Sequence, residues 1–298
     1  MILVTGGTGN LGTELVPLLI SSGIPVRVLT RDPQRARQRL GAAPELASGD
    51  ARDSRALAEA LKGVDAVVSA MTGFGPGAIG PKAVDYEGNR KLISAAEQAG
   101  VNRFVLLSMH GASAGHPMEL LRMKHRAEEA LRASRLDWVI LRPNVLMELW
   151  AGIVGGPIAS KGKATVFGRG DNPINVNSAK DVARFIELAL FDPGLSRTTL
   201  TVGGPENMTF NELVGQIERA AGRKAAVTHL PVRAMRLSSF VMRLFKPDLA
   251  GMIQAGVAFD TLDMTFDSSD LRRRFPQIGL TPMAEILNRQ LAAGAESK

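Results

Sequence analysis

Apolar residues along this chain fall into two alternating patterns. Short runs rich in valine, isoleucine and leucine occupy 2–5, 26–30, 46–48, 66–69, 104–108 and 138–141. They are too short for helices and apolar on successive positions, so they predict strands covered on both faces. Between them, at about 11–22, 34–40, 54–61, 82–99 and 118–133, apolar residues recur every three or four positions, as in Leu11, Leu15, Leu18 and Leu19, and predict helices. Gly23, Gly63 and Gly100 stand where three of these helices should stop, and Asp53 stands where another should be capped. This alternation builds an α/β fold, a doubly wound parallel sheet with helices on both faces. After Arg142-Pro143 the pattern loosens and glycines crowd 152–170. Helices are expected at 179–191, 211–221 and 284–292, and short strands at 199–202 and 226–229. A first domain over 1–150 and a smaller α/β region over 151–298 follow, the latter built partly on a continuation of the same sheet.

Composition narrows this picture. The chain has 298 residues, 45% of them hydrophobic, and a mean hydropathy of +0.04, values of a folded globular chain with a large core. No apolar run approaches a membrane span. The first strand begins at Met1, which leaves no room for a leader, and the chain has no cysteine; a cytoplasmic protein is expected. His110, His116, His125 and His229 show no metal-ligand spacing. The net charge is +7, mostly arginine spread along the chain. No helix-turn-helix, RNA-recognition or zinc pattern accompanies it, so neither a nucleic-acid nor a membrane partner is expected. A solvated surface and a phosphorylated small ligand account for the charge, and the oligomeric state stays open.

The candidate chemistry starts at the first turn. The strand at 2–5 runs into Gly6-Gly7-Thr8-Gly9-Asn10-Leu11-Gly12 and a helix follows. Strand, glycine turn and helix present backbone N–H groups to a diphosphate. Gly6 permits the tight turn, Gly9 removes the Cβ that would block the phosphates, and Gly12 lets the helix pack close to the sheet; Thr8, Asn10 and Leu11 complete the turn. The second strand ends at Thr30, and Arg31 follows. A guanidinium there suits a 2′-phosphate, and Arg35, one helical turn on, can join the clamp. Asp32 is the rival, placed where a ribose-binding acid would favour NAD, but it precedes Pro33 and reads as a helix N-cap with proline in the first position. The pattern therefore favours NADP. Arg37 and Arg39 are expected on a solvated helix face.

The spacing G-x-x-G-x-x-G after Thr5 resembles the glycine turn of the short-chain dehydrogenase/reductase proteins. Asp85-Tyr86-Glu87-Gly88-Asn89, the run Gly100-Val101-Asn102-Arg103-Phe104 to Ser108, Met123-Lys124-His125-Arg126 to Leu131, and Asp137-Trp138-Val139-Ile140-Leu141-Arg142-Pro143 are similar to the NmrA-like atypical branch of that family. So are Pro173-Ile174-Asn175-Val176-Asn177 and Gly203-Gly204-Pro205-Glu206, and the resemblance covers about residues 1–230. It implies a Rossmann fold and an NADP(H) cofactor. It places Asp50, with Ala51, at the adenine amino group, and Ala70, Met71 and Thr72 where the chain passes close to the cofactor. Pro143, Asn144 and Val145 would lie beside the nicotinamide amide. Asn144 to Trp150 would line a pocket for a small-molecule substrate, made apolar by Met147, Leu149 and Trp150, with 174–178 as a second wall; a helix packed into the core explains the same three side chains equally well. The glycine-rich loop 73–81 is either a mobile cover over the site or a plain surface loop.

Enzymes of this family carry a serine and then Tyr-x-x-x-Lys, the tyrosine moving the proton. Here the resemblance assigns Ser108 and Lys124, but Leu120 stands where the tyrosine belongs, and leucine transfers no proton. Tyr86, the chain's single tyrosine, is expected half in the core. Lys124 would hold the nicotinamide ribose, the alternative being a solvated surface charge. His110 is a candidate general acid or a plain loop histidine, and His116 and His125 are expected to be exposed. Three functions remain open: an NADP(H)-dependent reductase transferring hydride to a small apolar or aromatic acceptor such as a quinone, an iminium or a conjugated system; an NADP(H)-binding redox sensor of the NmrA type without turnover; and a non-redox isomerase or lyase on the same fold. Finally, Leu237, Phe240, Val241, Leu244 and Phe245 form a stripe beside Arg236 and Arg243. It could touch an anionic membrane, cap an apolar pocket or mediate dimerisation, with packing inside the protein as the default.

Overall fold

The computed structural model describes residues 1–75 and 77–296. The chain divides into two compact units, Met1–Pro143 with Val182–Thr201, and Asn144–Asp181 with the residues from Val202 onward. The division falls at Pro143 rather than at the expected 150, and the first unit takes back a later segment. Lys298, the expected end of the second region, lies outside the described residues.

The first unit contains β1 (Ile2–Thr5), α1 (Gly12–Ser21), β2 (Val26–Thr30), α2 (Pro33–Leu40), β3 (Glu45–Ser48), α3 (Ser54–Ala60) and β4 (Ala66–Ser69). A π-helical turn (Lys82–Gly88) then leads into α4 (Asn89–Gln98), β5 (Arg103–Leu107), α5 (Glu119–Arg132) and β6 (Asp137–Pro143). The strands lie in the order β3-β2-β1-β4-β5-β6, each pair parallel. Strand order reverses between β1 and β4, which is the switch point where this architecture opens a crevice. On one sheet face Leu3, Val67, Phe104, Leu106 and Ile140 pack with Leu57, Leu92, Ile93 and Leu131 from α3, α4 and α5. Asp53 caps α3 as expected. The helix predicted over 82–99 is one element with a defect: its first turns are wound as a π-helix, which buries Asp85 and Gly88.

Beyond β6 the chain forms β7 (Val145–Leu146), α6 (Met147–Lys161), β8 (Lys163–Phe167), β9 (Ile174–Asn177) and α7 (Ala179–Phe191). β10 (Thr198–Val202) joins the large sheet beside β6. The second unit is completed by β11 (Glu206–Met208), α8 (Phe210–Ala221), β12 (Ala226–Leu230), α9 (Val232–Phe245), α10 (Pro247–Thr261), α11 (Ser269–Arg274) and α12 (Met283–Glu296). Its strands pair as β11-β9-β7 and β12-β8. The glycine-crowded 152–170 is not a loosened stretch throughout, because α6 runs through Gly152, Gly155, Gly156 and Pro157. Met147, Trp150, Ala151, Val154 and Ile158 are buried along one side of it, and Trp150 meets Phe210 and Phe259 edge-on at 5.1 and 5.0 Å between ring centroids. Packing of that face outweighs the poor helix propensity. Leu149 points out, 40% exposed.

Charge is buried in the first unit as well. Glu128 of α5 is fully buried and accepts from Arg142 Nε at 2.8 Å and from Arg132 Nη2 at 2.9 Å. Burial by itself pushes this carboxyl up, but the Arg142 bonds, with help from the Ser108 hydroxyl and the Arg132 charge, hold it below its ordinary range. A folded-state value below the unfolded one means stabilisation that is complete above the ordinary carboxylate range and lost as pH falls through the lowered value. Glu128→Gln should therefore be less stable at neutral pH by about 3–5 kcal/mol, since it leaves two guanidiniums short of their carboxylate. Thermal melts across the acid range should show the wild type losing this advantage on acidification while the variant changes less.

Candidate functional site

A cleft of about 300 Å³ opens at the carboxyl ends of β1, β2 and β4, lined by the glycine turn, by Thr30 to Asp32 with Arg35, by Gly49 to Arg52, and by Ala70 to Gly73. The turn between β1 and α1 is set by backbone contact. Gly6 has a φ of +77°, and a Cβ there would lie 2.4 Å from the Ala70 carbonyl oxygen. A Cβ on Gly12 would lie 2.3 Å from the Gly7 carbonyl oxygen, so Gly12 packs against the turn itself. Closeness to the sheet falls instead to Gly7, whose Cβ would meet Val28 Cγ1 at 2.8 Å. Gly9 differs from all three: its Cβ would find only the Gly6 carbonyl oxygen, at 3.4 Å. No side chain caps the first amides of α1, and the Thr13 hydroxyl bonds back to Gly9 and Asn10 carbonyls. Thr8 and Gly9 face the cleft; Asn10 and Leu11 continue the turn into the helix. The Thr13 and Glu14 N–H groups bond back to the Gly9 and Leu11 carbonyls, and an anion placed before this helix start meets the positive end of the helix dipole.

Side chains divide the rest of the cleft. Asp32 caps α2, its carboxylate accepting from the Arg35 N–H at 3.0 Å with Pro33 in the first turn. Arg31 and Arg35 are exposed along the cleft. Asp50 is held by Arg52 through Nε at 2.9 Å, Nη2 at 2.8 Å and the backbone N–H at 2.8 Å. The Arg52 guanidinium, with Arg31 contributing, holds the Asp50 carboxyl below the usual carboxylate range. Ala51 lines the cleft beside it. Arg37 and Arg39 are exposed, as expected, and each also bonds to a backbone carbonyl. Arg39 donates to the Thr8 carbonyl of the glycine turn at 2.7 Å, and Arg37 donates to the Ala42 carbonyl at 2.9 Å. The loop after Thr72 lines the cleft through Gly77, Ala78 and Ile79; Pro76 within it lies outside the described residues. The loop closes at its base, where a Cβ on Gly73 would lie 2.2 Å from the Gly80 carbonyl oxygen.

Behind the cleft runs a buried polar thread. Thr5 Oγ1 lies 3.3 Å from Ser69 Oγ, which donates to Asn89 Oδ1 at 2.6 Å, and Asn89 Nδ2 donates to the Asp85 carbonyl at 2.8 Å. The Asp85 carboxylate is fully buried. Its Oδ2 accepts from the Gly73 N–H at 2.7 Å, and its Oδ1 faces Lys124 Nζ at 3.1 Å, an ion pair outside hydrogen-bond geometry. Lys124 is only 8% exposed, not a solvated surface charge, and donates to the Leu107 carbonyl at 3.1 Å. Leu120, one helical turn before it, is buried as well. Ser108 Oγ is buried and near Glu128 without forming a hydrogen bond of good geometry. His110 is half-buried, its N–H bonded to the Pro143 carbonyl at 2.9 Å. Tyr86 is half-buried, as expected, with Arg126 stacked 3.7 Å over its ring. His116 and His125 are not exposed as expected: His116 accepts from the Met118 N–H at the start of α5, and His125 packs beside Glu129. Among the described residues no cluster could hold a metal ion.

Asn144 belongs to the second unit. Its N–H goes to Asn177 Oδ1 at 2.8 Å and its side-chain amide donates to the Met264 carbonyl at 3.2 Å, with Val145 paired to Val176. Sequence reasoning quoted Asp85 and Asn89 within a motif but gave them no role. The signal was there in composition: two polar residues four apart, at the start of an otherwise amphipathic helix.

Residues 6–193 match the family described as NAD(P)H-binding. The chain belongs to that family. The NmrA-like, short-chain-dehydrogenase resemblance and the Rossmann fold stand with it. Among curated relatives, a photosystem II assembly factor of Synechocystis sp. is 29% identical over 82% of this chain and 75% of its own length. The NAD(P)H azoreductase of Xenophilus azovorans is 31% identical over 75% of this chain and 74% of its own. Among solved structures, the NADPH-dependent quinone oxidoreductase of Escherichia coli, complexed with NADPH, superposes with a TM-score of 0.77 over 98% of this chain and all of the other, at 22% identity. That likeness is one of fold.

The residues lining the cleft fit a nicotinamide dinucleotide, because the only glycine of the turn whose Cβ direction is open faces it at a helix start that no side chain caps. Two substitutions separate folding from binding. Gly9→Ala should keep the wild-type melting temperature and weaken NADPH binding about tenfold or more, the equivalent of one charge-assisted hydrogen bond. Gly12→Ala should lower the melting temperature sharply, because its Cβ has no room. Equal NADPH affinity in wild type and Gly9→Ala would remove the turn from the binding surface.

Proposed function

We propose that this protein is an NADP(H)-dependent reductase that acts on a small apolar or aromatic acceptor, a quinone, an iminium or a conjugated system, without a catalytic tyrosine. The observation that carries this reading is the exchange at α5: Leu120 buried where a proton donor would stand, and Lys124 retained in a buried ion pair with Asp85. An alcohol–ketone reaction needs a proton placed on or taken from the oxygen at the moment of transfer. An acceptor already activated, such as a quinone, leaves an anion that needs a cation nearby and can take its proton afterwards. NADPH, when bound, supplies the hydride. The chain supplies the rest: the turn amides hold the diphosphate, Arg31 and Arg35 take the 2′-phosphate, and Lys124 presents a fixed positive charge. Asp85 orients Lys124 and, through the Gly73 N–H, ties it to the loop bordering the cleft. His110 is the candidate for delivering a proton.

The preference for NADP over NAD rests on Asp32. Its carboxylate is committed to capping α2, which leaves Arg31 and Arg35 as the charged groups at the end of β2. Arg31→Ala should weaken NADPH binding by about tenfold and leave NADH binding nearly unchanged, read by fluorescence titration of both nucleotides. Leu120 in the place of the catalytic tyrosine also supports a second reading, a redox sensor that binds NADP(H) without turnover. Oxidation of NADPH against a panel of quinones and azo and triarylmethane dyes separates the two. A reductase turns over at least one of them, and Lys124→Gln combined with Asp85→Asn, which keeps the buried pair neutral, abolishes that turnover. A sensor binds the nucleotide and oxidises none of it.

A further inference from the structure

The stripe on α9 is not packed inside the protein. Leu237, Phe240, Leu244 and Phe245 are 69, 67, 77 and 75% exposed, more than any other large apolar side chain described, and Val241 between them is 46% exposed. Their spacing puts all five on one side of the helix. The opposite side is the seam to the protein: Met235 and Ser239 are buried, and Ser239 Oγ donates to the carbonyl of buried Ala250 on α10. The default expectation is thereby overturned, because the small and flexible residues face inward and the bulky apolar ones face out.

The charges beside the stripe identify what covers it. Arg233, Arg236, Arg243 and Lys246 are exposed on the same helix. From 219 to 247 the sequence contains no Asp or Glu, Asp248 being the first carboxylate after it, so the segment that carries the stripe is wholly cationic. A second copy of this chain, docked symmetrically, would bring the same cations of each copy together, a like-charge contact that costs binding. A partner whose surface is apolar within and anionic at its rim meets both features. We propose that α9 is a peripheral membrane-docking helix that lies flat in the headgroup region of an anionic phospholipid bilayer, with Leu237, Phe240, Leu244 and Phe245 in the acyl boundary and the arginines at the phosphates. Helices that lie in an interface have this composition. Fourteen residues rise about 21 Å, too short to cross the hydrocarbon core, and no described helix is long and apolar enough to do so. The inference is independent of the cofactor reading.

The test is flotation of the full-length protein with vesicles of phosphatidylcholine alone and of phosphatidylcholine mixed with phosphatidylglycerol. The wild type should float with the mixed vesicles and not with the neutral ones, and high salt should release it. Arg236→Gln and Arg243→Gln should each weaken binding about fivefold, as expected for ~1 kcal/mol per basic residue at an anionic surface. Phe240→Ser with Leu244→Ser should abolish flotation at an unchanged melting temperature, since both side chains are exposed. Phe245→Trp adds a local readout, a blue shift of emission when mixed vesicles are added. Failure of the wild type to float with mixed vesicles overturns the proposal, as does flotation of the serine variant equal to the wild type. A dimer seen by light scattering, broken by the serine variant and accompanied by no vesicle binding, assigns the face to a second copy instead.

Discussion

Where β1 turns into α1, main chain touches main chain with no side chain between. The Gly6 position lies so close to the Ala70 carbonyl, and Gly12 so close to Gly7, that a single added carbon at either would overlap backbone atoms that have nowhere to go. That contact seats the start of α1 over the carboxyl ends of β1 and β4, at the point where the strand order reverses. The crevice follows from it, and so does the direction of the helix amides. Gly9 is the exception that gives the turn a chemical meaning: the fold does not need its missing Cβ, so the space in front of it is available to a ligand.

Elsewhere in the first unit the protein accepts the cost of buried charge. Asp85 and Glu128 are both fully buried, one against Lys124 and the other between Arg132 and Arg142. Buried ion pairs contribute little net stability compared with apolar packing, but breaking one is costly, so each fixes its partners in place. Glu128 ties α5 to β6. Asp85 does something more specific, because its two oxygens face different elements: one the loop at Gly73, the other the lysine of α5. The π-helical turn is what allows this, since it swings Asp85 inward ahead of an otherwise ordinary helix.

Much of this architecture is legible in the sequence, and the reasons differ by element. The parallel strands are apolar on consecutive positions, so their period and length identify them, and Asp32-Pro33 and Asp53 mark helix starts by capping chemistry that acts locally. The glycine turn is legible because its demands are backbone demands. What escaped was decided by contacts distant in sequence. A core-packed helix is one of two readings at Met147 to Trp150, but α6 runs on through Gly152, Gly155, Gly156 and Pro157 because Trp150 finds Phe210 and Phe259, and no local signal announces that continuation. Arg39 reads as a surface charge until the fold brings the Thr8 carbonyl to it. Lys124 is singled out by the family resemblance, but its local pattern is that of any mid-helix lysine, and the burial of Asp85 a helix away is what makes it an interior cation.

The central claim is that the amides at the start of α1 receive a dinucleotide diphosphate. Amide chemical shifts in isotope-labelled protein titrated with NADPH test it most directly. The account predicts that the largest shifts fall on Gly9, Asn10 and Leu11, with Arg31 and Arg35 following when NADPH replaces NADH. Saturable binding with those amides unmoved, or no binding at all, would contradict it.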